Sequence, residues 1–191
     1  EVDDGVQCAC GDFGGTGDAV ADLHESPSSA MALDGDFVEC ACYRGTTARI
    51  VADYVDLGAT DKGMWLYDLF EHDETMRHHS MAEHGAGLFD QVKARFADLE
   101  NVRVTRGEVP AILAEHAPER VSHVHLDLNH VSAELGALEF CFDRLVTGGT
   151  IIFDDYGWLH YRAQKVAEDA WLSERGYNIL KLPTGQGLLI K

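Results

Sequence analysis

Three aspartates of this sequence lie at the ends of two apolar runs of residues. Asp154 and Asp155 follow directly on residues 150–153, which are apolar or β-branched and predict a buried strand. Residues 121–129 repeat the pattern, and Asp127 closes the apolar part of that stretch. Because the ligand crevice of an open parallel α/β sheet lies at the carboxyl ends of its strands, we expect the three acids to converge there.

Three carboxylates at one point can bind a hard cation. Their mutual repulsion needs a positive charge to offset it, and an all-oxygen ligand set suits Mg²⁺ best. We therefore predict Asp127, Asp154 and Asp155 as metal ligands. A competing interpretation is that the Asp154–Asp155 pair is solvated or caps a helix before Tyr161, but the third acid favours the metal.

The elements that must position these acids follow from the pattern of apolar residues. Predicted strands and helices alternate five times and a hairpin closes the chain, which indicates an α/β fold: a doubly wound, mostly parallel sheet with an antiparallel edge. Gly148 and Gly149 are expected to turn the chain into the last parallel strand. The strands are predicted at residues 35–40, 63–68, 101–105, 121–129 and 150–153, the helices at 48–57, 88–99, 110–116, 132–145 and 161–175, and the hairpin at 178–190.

Length and composition suit one domain. The chain has 191 residues, of which 46% are hydrophobic, enough for a real core. Residues 1–34 are predicted to be a flexible, acidic, glycine-rich arm with a lid helix, and residues 35–191 the folded domain. No apolar run approaches the roughly 20 residues needed to cross a bilayer, and the first residues do not resemble a signal peptide. We expect a soluble, cytoplasmic protein; because the chain starts without Met, missing N-terminal sequence stays open.

The formal net charge of −18, from 33 acidic and 15 basic residues, argues against two classes of partner. Nucleic acids and anionic membrane surfaces attract basic proteins, so neither is expected to bind this chain. Adaptation of the source to high salt would also explain the charge, and unfolding at low ionic strength would support that explanation.

The cysteine and histidine clusters give two weaker metal hypotheses. Cys8 and Cys10 together with Cys40 and Cys42 could form a four-thiolate zinc site, but each pair has one intervening residue where such sites usually have two or more. Reduced thiols are the expectation. The four histidines of residues 72–84 could bind a transition metal, although their polar context favours a surface segment.

Four segments carry a family resemblance over about residues 35–191. Residues 35–45 read Gly-Asp-Phe-Val-Glu-Cys-Ala-Cys-Tyr-Arg-Gly, residues 65–71 Trp-Leu-Tyr-Asp-Leu-Phe-Glu, residues 126–129 Leu-Asp-Leu-Asn, and residues 148–156 Gly-Gly-Thr-Ile-Ile-Phe-Asp-Asp-Tyr. In their residues and in their order along the chain, the four segments resemble the motifs of the macrocin O-methyltransferase family, which belongs to the class I S-adenosylmethionine-dependent methyltransferases. The resemblance implies that family's Rossmann-like sheet of seven strands, which ends in a hairpin.

The resemblance also implies where the methyl donor would bind. Glu39 would accept from the ammonium group of S-adenosylmethionine, Asp68 would take its two ribose hydroxyls, and a small-residue turn would let the backbone approach. A competing interpretation is that Glu39 and Asp68 only cap turns. The implied donor-binding residues are Glu39, Ala41, Tyr43, Gly45, Thr46, Asp68, Gly107, Glu108 and Asp127, with Gly107 and Glu108 beside adenine.

One position departs from the family pattern. The sugar-modifying members carry a second Asp, thought to act as general base, where this chain has Asn129, and an amide cannot take a proton at neutral pH. We predict His130 as the replacement base, because the ordinary pKa of histidine suits proton transfer near neutrality. His130 could instead be a solvated histidine at the start of a helix. In that case Tyr156 or His160 could act as the base, or the metal alone could suffice for removal of the hydroxyl proton. The predicted catalytic residues are Asp127, Asn129 and His130.

The predicted function is Mg²⁺-dependent transfer of a methyl group from S-adenosylmethionine to a hydroxyl of a small molecule, with a sugar of a natural product as the acceptor that the resemblance suggests. The alternative is a regulatory or assembly module that binds the donor without transfer, which Asn129 favours. That the protein is a nicotinamide dehydrogenase is a weaker hypothesis, because residues 40–45 lack the Gly-x-Gly-x-x-Gly spacing. The acceptor, the regiochemistry and the oligomeric state, including a homo-oligomer, stay open.

Overall fold

The computed structural model describes residues 27–74, 76 and 80–191. Within them, seven strands form one mixed, mostly parallel sheet with helices between the parallel strands, which confirms the predicted fold class. The strands are β1 (Asp36–Cys40), β2 (Met64–Asp68), β3 (Val102–Arg106), β4 (Val121–Leu126), β5 (Leu145–Phe153), β6 (Leu180–Lys181) and β7 (Gly187–Ile190), and the α-helices are α1 (Thr46–Tyr54), α2 (Leu88–Arg95), α3 (Leu113–His116), α4 (Val131–Arg144) and α5 (Arg162–Ser173), with 3₁₀ turns at Leu57–Ala59 and Leu159–Tyr161.

The strand order β3–β2–β1–β4–β5–β7–β6 places β1 beside β4. Strands β1 to β5 pair in parallel, and β7 runs antiparallel to β5 and β6. The chain winds outward from β1 to β3 and then returns to β4, so the switch point of the sheet lies between β1 and β4. In register, Glu39 pairs with His125, and His125 pairs with Ile152.

The start of β5 differs from the sequence prediction. The expected turn at Gly148 and Gly149 is wrong, because both residues belong to β5. From Leu145 to Thr150, β5 advances five residues while the paired segment of β4 advances two, so β5 bulges. Gly148 has φ of 84°, which favours glycine, and its N–H donates to the carbonyl of Lys191. A bulge and a turn need the same glycine conformation, and the sequence does not distinguish them.

Helices cover both faces of the sheet. On one face, α1 and α2 pack through Val51 and Leu88; on the other, α3, α4 and α5 pack through Leu113, Leu138 and Leu172. Burial on both faces holds the central strands, and hence the side chains at their carboxyl ends, in fixed positions. No described helix has the length and apolar character to cross a membrane.

The chain ahead of β1 packs against the sheet from residue 27 onward. Residues 27–30 form a helical turn, Ala30 is fully buried, and Met31 packs against the core on the face of α1 and α2. The remainder of the predicted arm, residues 1–26, lies outside the described residues, so the boundary at residue 34 stays a prediction.

Candidate active site

Asp127, Asp154 and Asp155 meet at the carboxyl ends of β4 and β5. One carboxylate oxygen from each lies within 4.8 Å of those from the other two, and all three residues are half-buried. The parallel pairing of β4 with β5 extends to Leu126 and Phe153, so the chain leaves both strands at the same level. The structure therefore brings together the three predicted ligands, and the described residues contain no other trio of potential ligands this close.

The close approach of three acids shifts their pKa values. Burial, followed by the charge of Asp154, raises the pKa of Asp127 well above its ordinary value. The same two causes raise the pKa of Asp155 to about 7. Burial also acts to raise the pKa of Asp154, but the hydrogen bond and charge of His125, with a hydrogen bond from Gln186, keep it below its ordinary value.

Two side chains hold Asp154 through the same oxygen. Its Oδ1 accepts from Nε2 of Gln186 at 2.6 Å and, over a longer distance of 3.4 Å, from Nε2 of His125. His125 is 6% exposed, and its contact with Asp154 depends on strand register. Gln186 lies 32 residues from Asp154, and no local signal pointed to it.

Asn129 orients Asp127. Nδ2 of Asn129 donates to Oδ1 of Asp127 at 3.0 Å and to its carbonyl at 3.3 Å. Asn129 has φ of 57°, a left-handed conformation that asparagine tolerates better than most residues. The N–H of Asp127 also donates to the carbonyl of Cys40, which ties the end of β4 to the end of β1. Asn129 is therefore a hydrogen-bond donor to a predicted metal ligand.

Two fully buried acids adjoin the trio, and the sequence analysis missed both. Oε2 of Glu134 on α4 accepts from the N–H of Leu128 at 3.1 Å, and Glu168 lies on α5. Oε1 of Glu134, both carboxylate oxygens of Glu168 and Oδ2 of Asp155 are buried without a hydrogen-bond partner among the described residues. Burial, then the charge of Glu168, raises the pKa of Glu134 well above its ordinary value, and burial raises that of Glu168 to about 7. The one available signal was the place of Glu134 four residues before Leu138, on the apolar face of α4.

The acids predicted to bind the methyl donor lie at the ends of β1 and β2. Glu39 is 7% exposed and Asp68 is 8% exposed. Asp68 accepts backbone N–H groups at both oxygens, from Tyr43 at 2.7 Å and Phe70 at 2.6 Å. These two bonds are those of a residue that caps turns, which is the competing interpretation of Asp68. Oε1 of Glu39 lies 3.8 Å from Nδ1 of His125.

The loop after β1 has a strained backbone. Ala41, Tyr43 and Gly45 have φ of 65°, 46° and 68°. Non-glycine residues in this region are uncommon and concentrate at ligand sites. The N–H of Tyr43 donates to Asp68, which holds the loop over the strand ends, and the exposed Thr46 begins α1 directly after it.

Gly107 and Glu108 follow β3, beside the predicted ribose-binding acid. The N–H of Gly107 donates to the carbonyl of Asp68 at 3.0 Å, and a Cβ at Gly107 would approach the side chain of Ile112 to 2.7 Å. Glu108 is exposed. The predicted neighbours of ribose and adenine are therefore adjacent at one edge of the site.

His130 is half-buried and occupies the N-cap position of α4, where its side chain makes no capping hydrogen bond. Its Nδ1 lies 3.1 Å from Oγ of Ser132, which leaves Nε2 for another partner. This position agrees with both the base and the helix-start interpretations. Tyr156 is less suited to act as base, because its hydroxyl is engaged by Asp169 at 2.7 Å and Lys165 at 2.6 Å.

The structure adds no support to the other metal hypotheses. Cys40 and Cys42 are buried free thiols, and burial raises the pKa of Cys42 well above its ordinary value. The rings of His72 and His84 stack at 6.3 Å between centroids. The remaining members of these clusters, Cys8, Cys10, His78 and His79, lie outside the described residues.

Comparison with known proteins places this geometry in a family. The family model described as macrocin O-methyltransferase (TylF) matches residues 20–175, most of the chain. The chain belongs to the macrocin O-methyltransferase (TylF) family. It is accordingly an S-adenosylmethionine-dependent O-methyltransferase, which confirms the resemblance of the four motifs and sets the dehydrogenase hypothesis aside.

Solved structures show the same fold. The O-methyltransferase NovP superimposes with a TM-score of 0.75 at 17% identity, covering 91% of this chain and 79% of NovP. Apo CalS11, a TDP-rhamnose 3′-O-methyltransferase of calicheamicin biosynthesis, superimposes with a TM-score of 0.70 at 16% identity, covering 90% of this chain and 78% of CalS11. The S-adenosylhomocysteine-bound methyltransferase PaMTH1 of Podospora anserina superimposes with a TM-score of 0.59 at 13% identity, covering 81% of this chain and 70% of PaMTH1. No curated protein matches the sequence.

Proposed function

We propose that this chain transfers a methyl group from S-adenosylmethionine to a sugar hydroxyl of a natural product, and that the transfer depends on Mg²⁺. The observation that carries the proposal is the convergence of Asp127, Asp154 and Asp155 within 4.8 Å, beside the strand end that bears Glu39. The acceptor class is suggested by the family description and by CalS11, whose substrate is a nucleotide-linked sugar.

The three aspartates fit a hard divalent cation. They offer only oxygen ligands, and burial, followed by the charge of Asp154, raises the pKa values of Asp127 and Asp155, so a cation bound between the three would favour their ionised forms. When bound there, Mg²⁺ would lower the pKa of a coordinated hydroxyl. Asn129 and Gln186 orient two of the ligands, each by a hydrogen bond to one carboxylate oxygen.

The ends of β1 to β3 fit the methyl donor. Glu39 is a buried carboxylate suited to an ammonium group, and Asp68 and Gly107 lie together where ribose and adenine would bind. In the transfer, the acceptor oxygen bonds to the methyl carbon while the carbon–sulfur bond breaks, and the electron pair of the broken bond stays on sulfur. The proton of the hydroxyl passes to Nε2 of His130, whose Nδ1 is held by Ser132.

One observation favours a second function, donor binding without transfer. Asn129 occupies the position of the family's general base and cannot accept a proton. If His130 does not replace it, the domain would act as a regulatory or assembly module.

A labelled-methyl assay separates the two functions. The protein is incubated with methyl-labelled S-adenosylmethionine and a panel of glycosides and nucleotide-linked sugars, in Mg²⁺ or in EDTA, while calorimetry measures donor binding. Transfer in Mg²⁺ that is lost in EDTA supports the proposal. Donor binding without transfer to any acceptor favours the module, and equal transfer in EDTA contradicts the role of the cation.

A further inference from the structure

His125 lies between the two halves of the proposed site. It is on β4, in register with Glu39 on β1, and its side chain is 8% exposed. Its Nδ1 is 3.8 Å from Oε1 of Glu39, and its Nε2 is 3.4 Å from Oδ1 of Asp154. One planar ring therefore faces a predicted donor-binding acid with one nitrogen and a predicted metal ligand with the other.

We propose that His125 is a positioning residue that sets the orientation of Glu39 and Asp154 together, and so links the methyl-donor pocket to the cation site. The inference rests on the proposed function, because it takes Glu39 as a donor ligand and Asp154 as a cation ligand. A ring contacted on both edges within a close-packed sheet cannot shift toward one acid without moving away from the other.

The Glu39 side of the ring has room for a bridging molecule. Nδ1 of His125 is buried and has no hydrogen-bond partner among the described residues. A cavity of about 20 Å³, the size of one water molecule, adjoins His125 and Glu39 and is also lined by Thr47 and His123. A water molecule there would carry a hydrogen bond from Nδ1 to Glu39, because 3.8 Å is too long for a direct one.

The Asp154 side offers a matched control. Oδ1 of Asp154 accepts from both His125 and Gln186, and the side-chain hydrogen bonds described for Gln186 involve Asp154 and Thr184, not Glu39. Loss of Gln186 should therefore disturb only the cation site, whereas loss of the His125 nitrogens should disturb both. A purely structural role of His125 would lower stability without this pattern.

The test compares His125→Phe, which keeps a ring without nitrogens, with Gln186→Leu and the wild type. Calorimetry measures the affinities for S-adenosylhomocysteine and, separately, for Mg²⁺, and circular dichroism checks folding. We expect His125→Phe to weaken both affinities by about tenfold or more, and Gln186→Leu to weaken only that for Mg²⁺. His125→Gln, which keeps an N–H donor in its amide group, should recover part of the lost Mg²⁺ affinity and provides a second variant if the Phe variant does not fold.

The outcomes distinguish the inference from the proposed function. A wild type that does not bind Mg²⁺ overturns the cation site and the link with it. A wild type that binds both ligands, with His125→Phe affecting only one of them, overturns the link and leaves the proposed function intact. Equal losses of both affinities in Gln186→Leu would also overturn the link, because the hydrogen bond of Gln186 within the site goes to Asp154.

Discussion

Asn129 donates a hydrogen bond from Nδ2 to Oδ1 of Asp127 at 3.0 Å. An ionised aspartate at position 129 could not make this bond, because a carboxylate only accepts. The amide at position 129 therefore supplies a donor that orients a predicted metal ligand. We interpret Asn129 as orienting the cation site, with proton removal assigned to His130.

Asn129→Gly should weaken Mg²⁺ binding about tenfold, since outer hydrogen bonds of this kind typically matter by that factor. Glycine accepts φ of 57° without strain, so the variant isolates the lost amide from the backbone effect. Calorimetric titration with Mg²⁺ measures the change. Unaltered affinity would show that Asp127 does not depend on Asn129.

Asp155→Asn should stabilise the metal-free protein at pH 8 and abolish its stabilisation by Mg²⁺. Burial and the charge of Asp154 oppose the ionised form of Asp155, whose pKa is raised to about 7, so removing the charge relieves the repulsion. Melting temperatures in EDTA and in Mg²⁺ test both effects. Asp143→Asn, at an exposed position of α4, is the matched control and should behave like the wild type. A variant that Mg²⁺ still stabilises would exclude Asp155 as a ligand.

Glu168 makes the metal-free protein less stable as the pH rises. Its folded-state pKa of about 7 exceeds its ordinary value of 4.5, so its stabilising effect is complete below pH 4.5 and is lost as the pH rises through 7. The loss is of the order of 3 kcal/mol. In urea unfolding in EDTA, Glu168→Gln should exceed the wild type in stability at pH 8 and lack this part of the pH dependence. Glu174→Gln, at an exposed position after α5, serves as the control, and a wild-type profile for Glu168→Gln would refute the prediction.

His130→Ala should lower kcat by about 100-fold or more and leave the affinity for S-adenosylmethionine unchanged, as expected for loss of a general base. Ser132→Ala removes the hydroxyl 3.1 Å from Nδ1 and should have a smaller effect, because the imidazole remains. Steady-state kinetics with calorimetric donor binding gives both values. A wild-type kcat in His130→Ala would end its assignment as base.

The sequence was informative where function coincides with a local pattern. Apolar runs that end in acids located Asp68, Asp127 and the Asp154–Asp155 pair, because strands of a parallel sheet present their ends at one edge. The same pattern gave the order of elements and the closing hairpin.

Contacts between distant segments were not accessible from the sequence. The double contact of His125 depends on the register of β1, β4 and β5, and that register depends on a bulge in β5 that the sequence suggests only as a turn. The hydrogen bond of Gln186 to Asp154 depends on where the hairpin folds back. Glu134 and Glu168 resemble ordinary helix acids until the packing of α4 and α5 buries them.

The most direct test of the account is the position of a bound cation. Mn²⁺, which also prefers oxygen ligands, is soaked into crystals and located by anomalous diffraction. The account predicts one peak between the three aspartates, within coordination distance of an oxygen of Asp127, Asp154 and Asp155 alike. A map with no peak there, or with Asp127 turned away from the other two acids, would contradict it.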